Sequence, residues 1–331
     1  MPNALAYFRG ETVPISQAKV SVMTHALHYG TAVFEGIRGN WNKTESSMFI
    51  FRMEEHYKRF LQGCQMMMLD IPQTVDDLCN ITIDLIKDCG YQQDLYIRPL
   101  AYKSQELVAN LKLQEVESDF TLIVVPFGDY LETDGALKCC TSSWRRVDDT
   151  IVPPRVKISG TYVNSILAKT EATLAGFDEA IMLTQDGFIS EGSGENLFMI
   201  NDGILYTPPV SDNNLTGITR DSAITIATQE LDSKVVERRI RRSELYFADE
   251  VFLTGTAAHI QAVGELDNRT IGSGKTGPIT QQINDVYQKA IRGEYDNWQN
   301  SAEECLALII LLDQFSRNLF RKNPKAFAMD Y

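Results

Sequence analysis

Three segments of this chain carry groups that only a folded chain can bring together. Lys157 stands in Arg155-Val-Lys-Ile-Ser-Gly-Thr-Tyr162, and Glu191 opens Glu191-Gly-Ser-Gly-Glu-Asn-Leu-Phe198, 34 residues on (191 − 157). Leu215-Thr-Gly-Ile-Thr-Arg220 follows. The first offers an amine, the second a carboxylate, and the third backbone N–H groups at a helix start. A fold that uses them together must enclose all three around one cavity. With 331 residues the chain is long enough for two globular domains and a full-sized core.

Taken singly, each segment has an ordinary reading. Lys157 lies between Val156 and Ile158, so it is either an exposed strand lysine or an amine kept neutral by desolvation in an apolar strand. The small residues Ser159 and Gly160 that follow would let a bulky ligand approach the backbone. Glu191 sits in a Gly/Ser-rich stretch after the apolar run 180–184, as a solvated loop acid or as the partner of a buried cation. Gly217, Ile218 and Thr219 open a helix expected to run to Leu231. They form an ordinary Thr cap or an anion site at the positive helix end. Gly255-Thr-Ala-Ala258, after the apolar strand 250–254, would add a second set of N–H donors. Together, an amine for a Schiff base, an acid for a pyridinium nitrogen and donors for a phosphate are what pyridoxal 5'-phosphate requires.

Composition narrows the remaining classes. A net charge of −13 argues against a broad nucleic-acid-binding face, which needs clustered Lys and Arg. The opening Met1-Pro-Asn-Ala-Leu has no signal-peptide pattern. Six cysteines include no C-x-x-C pair, so neither a zinc site nor a disulfide framework is expected, and a cytoplasmic protein with reduced thiols is. The adjacent Cys139 and Cys140 read as strand packing.

The periodicities divide the chain. A hairpin over 6–13 turning at Gly10 and Glu11, strands over 48–52, 94–102 and 120–126, and helices over 54–68 and 76–89 fill the first third. The polar, glycine-bounded stretch 128–135 is the expected interdomain linker. Beyond it, strands with Asp-Gly turns mix with helices over 165–176 and 219–231. Strands and helices interleave without a regular βαβ period, so the fold class is α+β, with domains over 1–127 and 136–299. Residues 300–331 form an atypical helical extension. Its stretch 305–312 is apolar on every helical face, and shorter than the ~20 residues that span a bilayer. A helix of that kind must be buried against something.

Several segments carry a resemblance. Glu191-x-Ser193-x-x-Asn196-Leu-Phe198, Leu205-x-Thr207 and Leu215-x-Gly217-Ile218-x-Arg220 resemble the signature of class IV pyridoxal-phosphate aminotransferases, of D-amino-acid-aminotransferase-like fold type IV. The run from Met23 through Phe34-Glu-Gly-Ile-Arg38, with Tyr96-Ile-Arg98-Pro99, narrows this to the bacterial branched-chain amino-acid aminotransferases. The resemblance covers about residues 5–298. Leu306-Ala-Leu-Ile-Ile-Leu-Leu-Asp-Gln-Phe-Ser-Arg-Asn-Leu-Phe320 is similar instead to part of an uncharacterised all-α bacterial family.

The resemblance implies a role for each matching position. Lys157 would form the Schiff base and carry the proton, Glu191 would pair with the pyridinium nitrogen, and Tyr162 would bond the phenolic oxygen. Arg59, Ile218, Thr219 and Thr256 would hold the phosphate, with Leu215 and Gly217 also at the cofactor. The N–H groups of Thr256 and Ala257, with Tyr96, would meet the substrate α-carboxylate. Phe34, Tyr29, Tyr130 and Phe127 would wall the side-chain pocket, and Arg98 would reach a distal carboxylate. The implied reaction is ping-pong transfer of an amino group between L-leucine, L-isoleucine or L-valine and 2-oxoglutarate, giving L-glutamate, in branched-chain amino-acid biosynthesis. The implied assembly is a homodimer or higher oligomer with a loop, 105–113, near the other subunit's site. The alternatives within the fold are a D-amino-acid transaminase and an aminodeoxychorismate lyase. His259 departs from the acid usual after Gly-Thr-Ala-Ala.

Two look-alikes are set aside. Gly272-Ser-Gly-Lys-Thr-Gly277 lacks the glycine that a P-loop places five positions before Gly274, where Arg269 stands (274 − 5 = 269). A surface turn before a helix from Ile279 explains it. His25-x-x-His28 has no third metal ligand at proper spacing and is expected to be packed or hydrogen-bonded.

Overall fold

A computed structural model describes residues 4–128 and 135–294. Most of the expected linker 128–135, Tyr130 within it, and the extension 300–331 lie outside the described residues. The compact unit Met1–Tyr287 holds both β-sheets described below. The second unit, Gln288–Tyr331, contributes the end of a helix and a turn to Glu294.

The first sheet contains β1 (Leu5–Phe8), β2 (Glu11–Pro14), β3 (Ala32–Phe34), β4 (Ile37–Asn42), β5 (Ser47–Ile50), β6 (Leu95–Lys103) and β7 (Ser118–Pro126). Its order is β2-β1-β7-β6-β4-β5, with β3 also on β6, and every pairing is antiparallel. The β1–β2 turn is made by Arg9 and Gly10, at φ 53° and 86°, because Phe8 pairs with Glu11. This displaces the expected Gly10–Glu11 turn by one residue, since a two-residue hairpin loop needs positive φ at both positions. α1 (His25–Tyr29) is short; α2 (Met53–Met66) and α3 (Val75–Cys89) cover one face of the sheet. A Thr74–Asp77 capping box starts α3, and Gly90, at φ 65°, stops it. Ile37, Tyr57, Phe60, Leu78, Leu95, Ile97 and Leu122 form the core between them.

Proline inside the central strand β6 is tolerated for a local reason. The Pro99 carbonyl accepts from Glu35 N at 3.0 Å, so its donor-less nitrogen faces the break between β3 and β4. That break is Glu35-Gly36, and it carries two residues into the cleft.

The second sheet is mixed. β8 (Leu137–Arg145), β9 (Glu179–Leu183), β10 (Ile189–Gly192), β11 (Asn196–Asn201), β12 (Ile204–Thr207), β13 (Val235–Glu237), β14 (Glu250–Gly255) and β15 (His259–Leu266) run in the order β10-β9-β8-β15-β14-β11-β12-β13. A short β16 (Arg269–Thr270) pairs with β15. The β8–β9, β8–β15 and β12–β13 pairs are parallel. α4 (Tyr162–Leu174) lays Ala168 and Ala172 on Ala180 and Met182, and begins three residues before the expected start because a 3-10 turn, Ser159–Thr161, feeds it. α5 (Ile218–Gln229), α6 (Arg242–Leu245) and α7 (Pro278–Ile291) complete the α+β fold.

The glycine-rich turn before α7 has its helix start occupied by an acid of this chain. Ile279 N and Thr280 N donate to the two carboxylate oxygens of Glu250, at 3.1 and 2.8 Å, so a side-chain acid already fills that helix start. Cys139 is fully buried in β8 beside the half-buried Cys140, as strand packing requires. His25 bonds Thr31 Oγ1 and Asn110 O, His28 bonds Val22 O, and no metal-binding cluster occurs among the described residues. No helix among the described residues is long and apolar enough to cross a membrane.

The second sheet's core can be tested at Phe252, which is fully buried and stacks on Phe198 with ring centroids 4.8 Å apart. Phe252→Ala is expected to cost about 3–5 kcal/mol, read as a lower denaturation midpoint in guanidinium chloride.

Candidate active site

Lys157 is not in a strand. It lies in the loop before the Ser159–Thr161 turn, where its carbonyl accepts from Phe34 N at 3.1 Å and Ile158 makes an isolated bridge to Val33. Gly160 packs against Gly30, where a Cβ on Gly160 would lie 3.3 Å from Gly30 O. Its N–H donates to Gly30 O at 3.1 Å, and a Cβ on Gly30 would sit 2.7 Å from Gly160 Cα. The paired loops therefore seat Lys157 beside β3. Its Nζ meets Tyr162 Oη at 2.6 Å and lies 5.3 Å from the ring centroids of Phe34 and Tyr162.

Opposing effects act on the Lys157 amine. Burial pulls its pKa down, but the Tyr162 oxygen and Glu35 outweigh that and hold it above the ordinary lysine range.

Glu191 is likewise not in a loop but in β10, and it is buried. Arg146 forms an ion pair with Oε1 at 2.8 Å, while Asn196 Nδ2 and Leu215 N donate to Oε2 at 3.2 and 3.1 Å. Burial raises its pKa, opposed by Arg146, the Leu215 N–H and Lys157. Oε2 thus accepts two hydrogen bonds, and Oε1, with the Arg146 contact alone, keeps acceptor capacity. Asn196 also donates to Leu215 O at 2.8 Å, tying the acid to the loop that opens α5.

Arg59 in α2 has a double task. Its Nε and Nη2 donate to the two oxygens of Glu35 at 2.6 and 2.8 Å, and its Nη1 donates to Thr216 O at 2.6 Å. Glu35 is fully buried and also bonds His56 Nδ1 at 2.9 Å. Burial works against its ionisation, but Arg59 and His56 hold the carboxyl well below the usual range. Because Glu35 is an anion, His56 Nδ1 carries the proton and donates it. Arg52 grips the same helix start from the other side, with Nη1 on Ile218 O, Asp221 Oδ2 and Ser222 Oγ at 3.3, 2.8 and 3.0 Å.

One cavity of about 240 Å³ joins most of these groups. Its lining holds Phe34, Arg59, Tyr96, Arg98, Phe127, Lys157, Tyr162, Leu215, Gly217, Ile218, Thr219, Thr256 and Ala257 from the expected set. Glu191 lies just behind the lining, reached through Asn196. Tyr29 does not join them. Within a single subunit it borders a separate hollow and its hydroxyl accepts from Ala109 N at 2.9 Å. Residues without an assigned role also line the cavity: Gly36, Glu195, Thr254 and Ala258. Glu35, His56 and Arg146, which support the site, had no local signal. A buried acid demands a cation, but in sequence Glu191 reads as a loop acid, so that demand could not lead to Arg146.

The donor set fits pyridoxal phosphate. An amine and a phenol are in contact, an acid is fixed by a cation, and α5 begins at Gly217 with no side-chain cap on its N–H groups. A Cβ on Gly217 would meet Asn196 Oδ1 at 2.0 Å, so only glycine permits this close loop. Thr254 Oγ1, on the lining, is buried without a partner.

Arg146 provides a test. A carboxylate whose folded pKa is raised keeps a proton that the unfolded chain has lost, so its contribution to stability falls as pH rises above the unfolded value. Arg146→Gln raises the Glu191 pKa further and widens that window. The variant's loss of melting temperature is expected to be smaller at about pH 5 than at about pH 8, followed by calorimetry across that range.

Residues 32–266 match the model of amino-transferase class IV. Residues 275–331 match a bacterial protein of unknown function (DUF924), a stretch that begins before the expected extension and takes in α7. A probable branched-chain-amino-acid aminotransferase of Aquifex aeolicus is 45% identical over 296 residues, covering 88% of this chain and 95% of the relative. The crystal structure of the branched-chain aminotransferase from Thermoproteus uzoniensis with norvaline superposes at a TM-score of 0.85 and 38% identity, over 90% of this chain and 98% of that one. The branched-chain amino acid aminotransferase from Thermobaculum terrenum in its PLP-form does so at 0.84 and 37%, over 88% and 95%. With its cleft, its buried amine and acid, and these likenesses, the chain belongs to the amino-transferase class IV family and, within it, to the branched-chain-amino-acid aminotransferases.

Proposed function

We propose that this protein transfers the amino group between L-leucine, L-isoleucine or L-valine and 2-oxoglutarate, with pyridoxal 5'-phosphate held in the cavity around Lys157. The observation that carries this reading is the Lys157 Nζ–Tyr162 Oη contact of 2.6 Å in one cavity with aromatic walls and an arginine. The cofactor, when bound, supplies an electron sink that stabilises negative charge at the substrate α-carbon.

The chain's residues do the rest. Lys157 Nζ, as the free amine, would take the proton from the substrate α-carbon and pass it to the cofactor within the same half-reaction, and would carry it the other way in the second. Tyr162 orients that amine. Glu191, fixed by Arg146, offers a negative charge where a ring nitrogen can be kept protonated. Arg59 and the N–H groups of Ile218 and Thr219, with Thr256, hold the phosphate at the start of α5. The N–H groups of Thr256 and Ala257 receive the α-carboxylate. Phe34, Tyr96 and Phe127 exclude water and take an aliphatic side chain. Arg98 makes no ion pair among the described residues: its Nη2 donates to Tyr96 Oη and its guanidinium lies 4.3 Å from the Phe34 centroid. A cation so placed favours a dicarboxylate such as 2-oxoglutarate. In this reading 1–127 and 136–299 serve as two domains whose residues meet around the cavity. The free thiols of the described cysteines support a cytoplasmic setting.

The assembly we propose is a homodimer. Met66, Trp144, Ile151, Val163 and Leu167 border an open apolar hollow of about 620 Å³ beside the Lys157 loop, and Ile151 and Val163 are 69% and 59% exposed. Val108 and Leu111, in the loop 105–113, are exposed too. Apolar exposure on this scale fits a second copy of the chain.

Two measurements test these readings. The purified holoenzyme should show a visible absorption band that L-leucine discharges and 2-oxoglutarate restores, and Lys157→Ala should lose turnover by at least ~10⁴-fold while still binding the cofactor. A protein that stays colourless with added cofactor, or a fully active variant, overturns the assignment. Light scattering should report a dimer for the native chain and a monomer for Val163→Asp.

A further inference from the structure

Gly36 is glycine for want of space, not for backbone freedom. Its φ is not in the left-handed region, and a Cβ there would lie 2.3 Å from Tyr96 Oη, 3.0 Å from Cζ and 3.3 Å from Cε2. An ordinary contact needs roughly 3.4 Å or more, so a side chain requires the hydroxyl to move by about 1 Å. Tyr96 is not free to do so without consequence. Its ring stands 5.0 Å from that of Phe127, and its hydroxyl accepts from Arg98 Nη2 at 2.7 Å. Arg98 in turn lies over Phe34 at 4.3 Å and over Tyr96 at 5.0 Å, and its Nε is buried with no partner. Gly36, Tyr96, Arg98 and Phe34 all line the cavity of Lys157, and Tyr96 is the link between Gly36 and Arg98.

We infer that Gly36 is a specificity-determining residue: by leaving room for the Tyr96 hydroxyl, it lets Tyr96 hold Arg98 where a distal carboxylate can meet it. Any side chain at 36 displaces the hydroxyl, releases the guanidinium from its stacked position and biases the cavity against dicarboxylates relative to aliphatic monocarboxylates. The inference rests on the reading that Arg98 receives the distal carboxylate, and adds to it the residue that sets the arginine in place. Arg98 and Tyr96 touch the substrate in that reading; Gly36 acts through them.

The test uses holoenzyme and two dead-end probes, glutarate and 4-methylvalerate, with dissociation constants read from the cofactor's absorbance. The ratio of kcat/KM for L-glutamate over L-leucine is measured in parallel. Gly36→Ala is expected to lower glutarate affinity relative to 4-methylvalerate, and the glutamate-to-leucine ratio, by roughly tenfold or more, the scale of one charge-assisted hydrogen bond. Tyr96→Phe, which removes the hydroxyl, should lower both to a similar degree. The double variant should fall no further than Tyr96→Phe, because both changes act on one contact. If Gly36→Ala alone does not fold, Tyr96→Phe and the double variant, where the clash is eased, carry the same comparison. A Gly36→Ala enzyme with both ratios within twofold of native, or a double variant that multiplies the two losses, overturns the role of Gly36. Native enzyme that binds 4-methylvalerate but not glutarate overturns the Arg98 assignment instead.

Discussion

Arg59 joins the two sheets at the point where the chemistry has to happen. Its guanidinium is held on one edge by both oxygens of Glu35, at the break between β3 and β4, and on the other by Thr216 O, at the entry to α5. Arg52, at the start of α2 and about two turns earlier, repeats the grip on Ile218 O and Asp221. The start of α5 is therefore not a loose loop beside a cleft but a segment clamped from α2. Its uncapped N–H groups stay aimed at one place, and preorganisation of that kind is what makes an anion site effective.

The clamp requires buried charge, and buried charge requires partners. Glu35 is fully enclosed with Arg59 and His56, and Glu191 with Arg146, so neither acid is left with an uncompensated charge. Removing one member of such a pair costs far more than the pair contributes, which is why these residues act as a set. Lys157 feels both sides of this arrangement. Glu35 and Tyr162 raise its proton affinity, while Arg59 lowers it. The position of Lys157 is set by the contact of Gly30 with Gly160.

Much of the fold was legible because the signals were local. The helical spacings in α2 and α3 and the glycine stop at Gly90 are short-range chemistry, and the structure places those elements within a residue or two of expectation. The misplacements came where a neighbour in space decided. Lys157 reads as a strand residue from its apolar flanks, yet sits in a loop because the pairing partner it meets, β3, ends there. Glu191 reads as a loop acid from its glycines, yet lies in β10 because Met182 in β9 pairs with it across an irregular register. Tyr29 was grouped with the pocket and stands apart from it within one subunit.

The sequence by itself determined the α+β class and singled out Lys157, Glu191 and the glycine-led start of α5, because each is written in a contiguous pattern with a local physical meaning. It also ruled out the phosphate-loop reading of Gly272–Gly277, whose helix start Glu250 occupies. Only the tertiary structure decided that Glu35, His56 and Arg146 support the site, that Lys157 lies against Tyr162, and that Gly36 leaves room for Tyr96. Those outcomes depend on distances between residues far apart in the chain, and burial turns such distances into large electrostatic and steric effects. No pattern along the chain carries them.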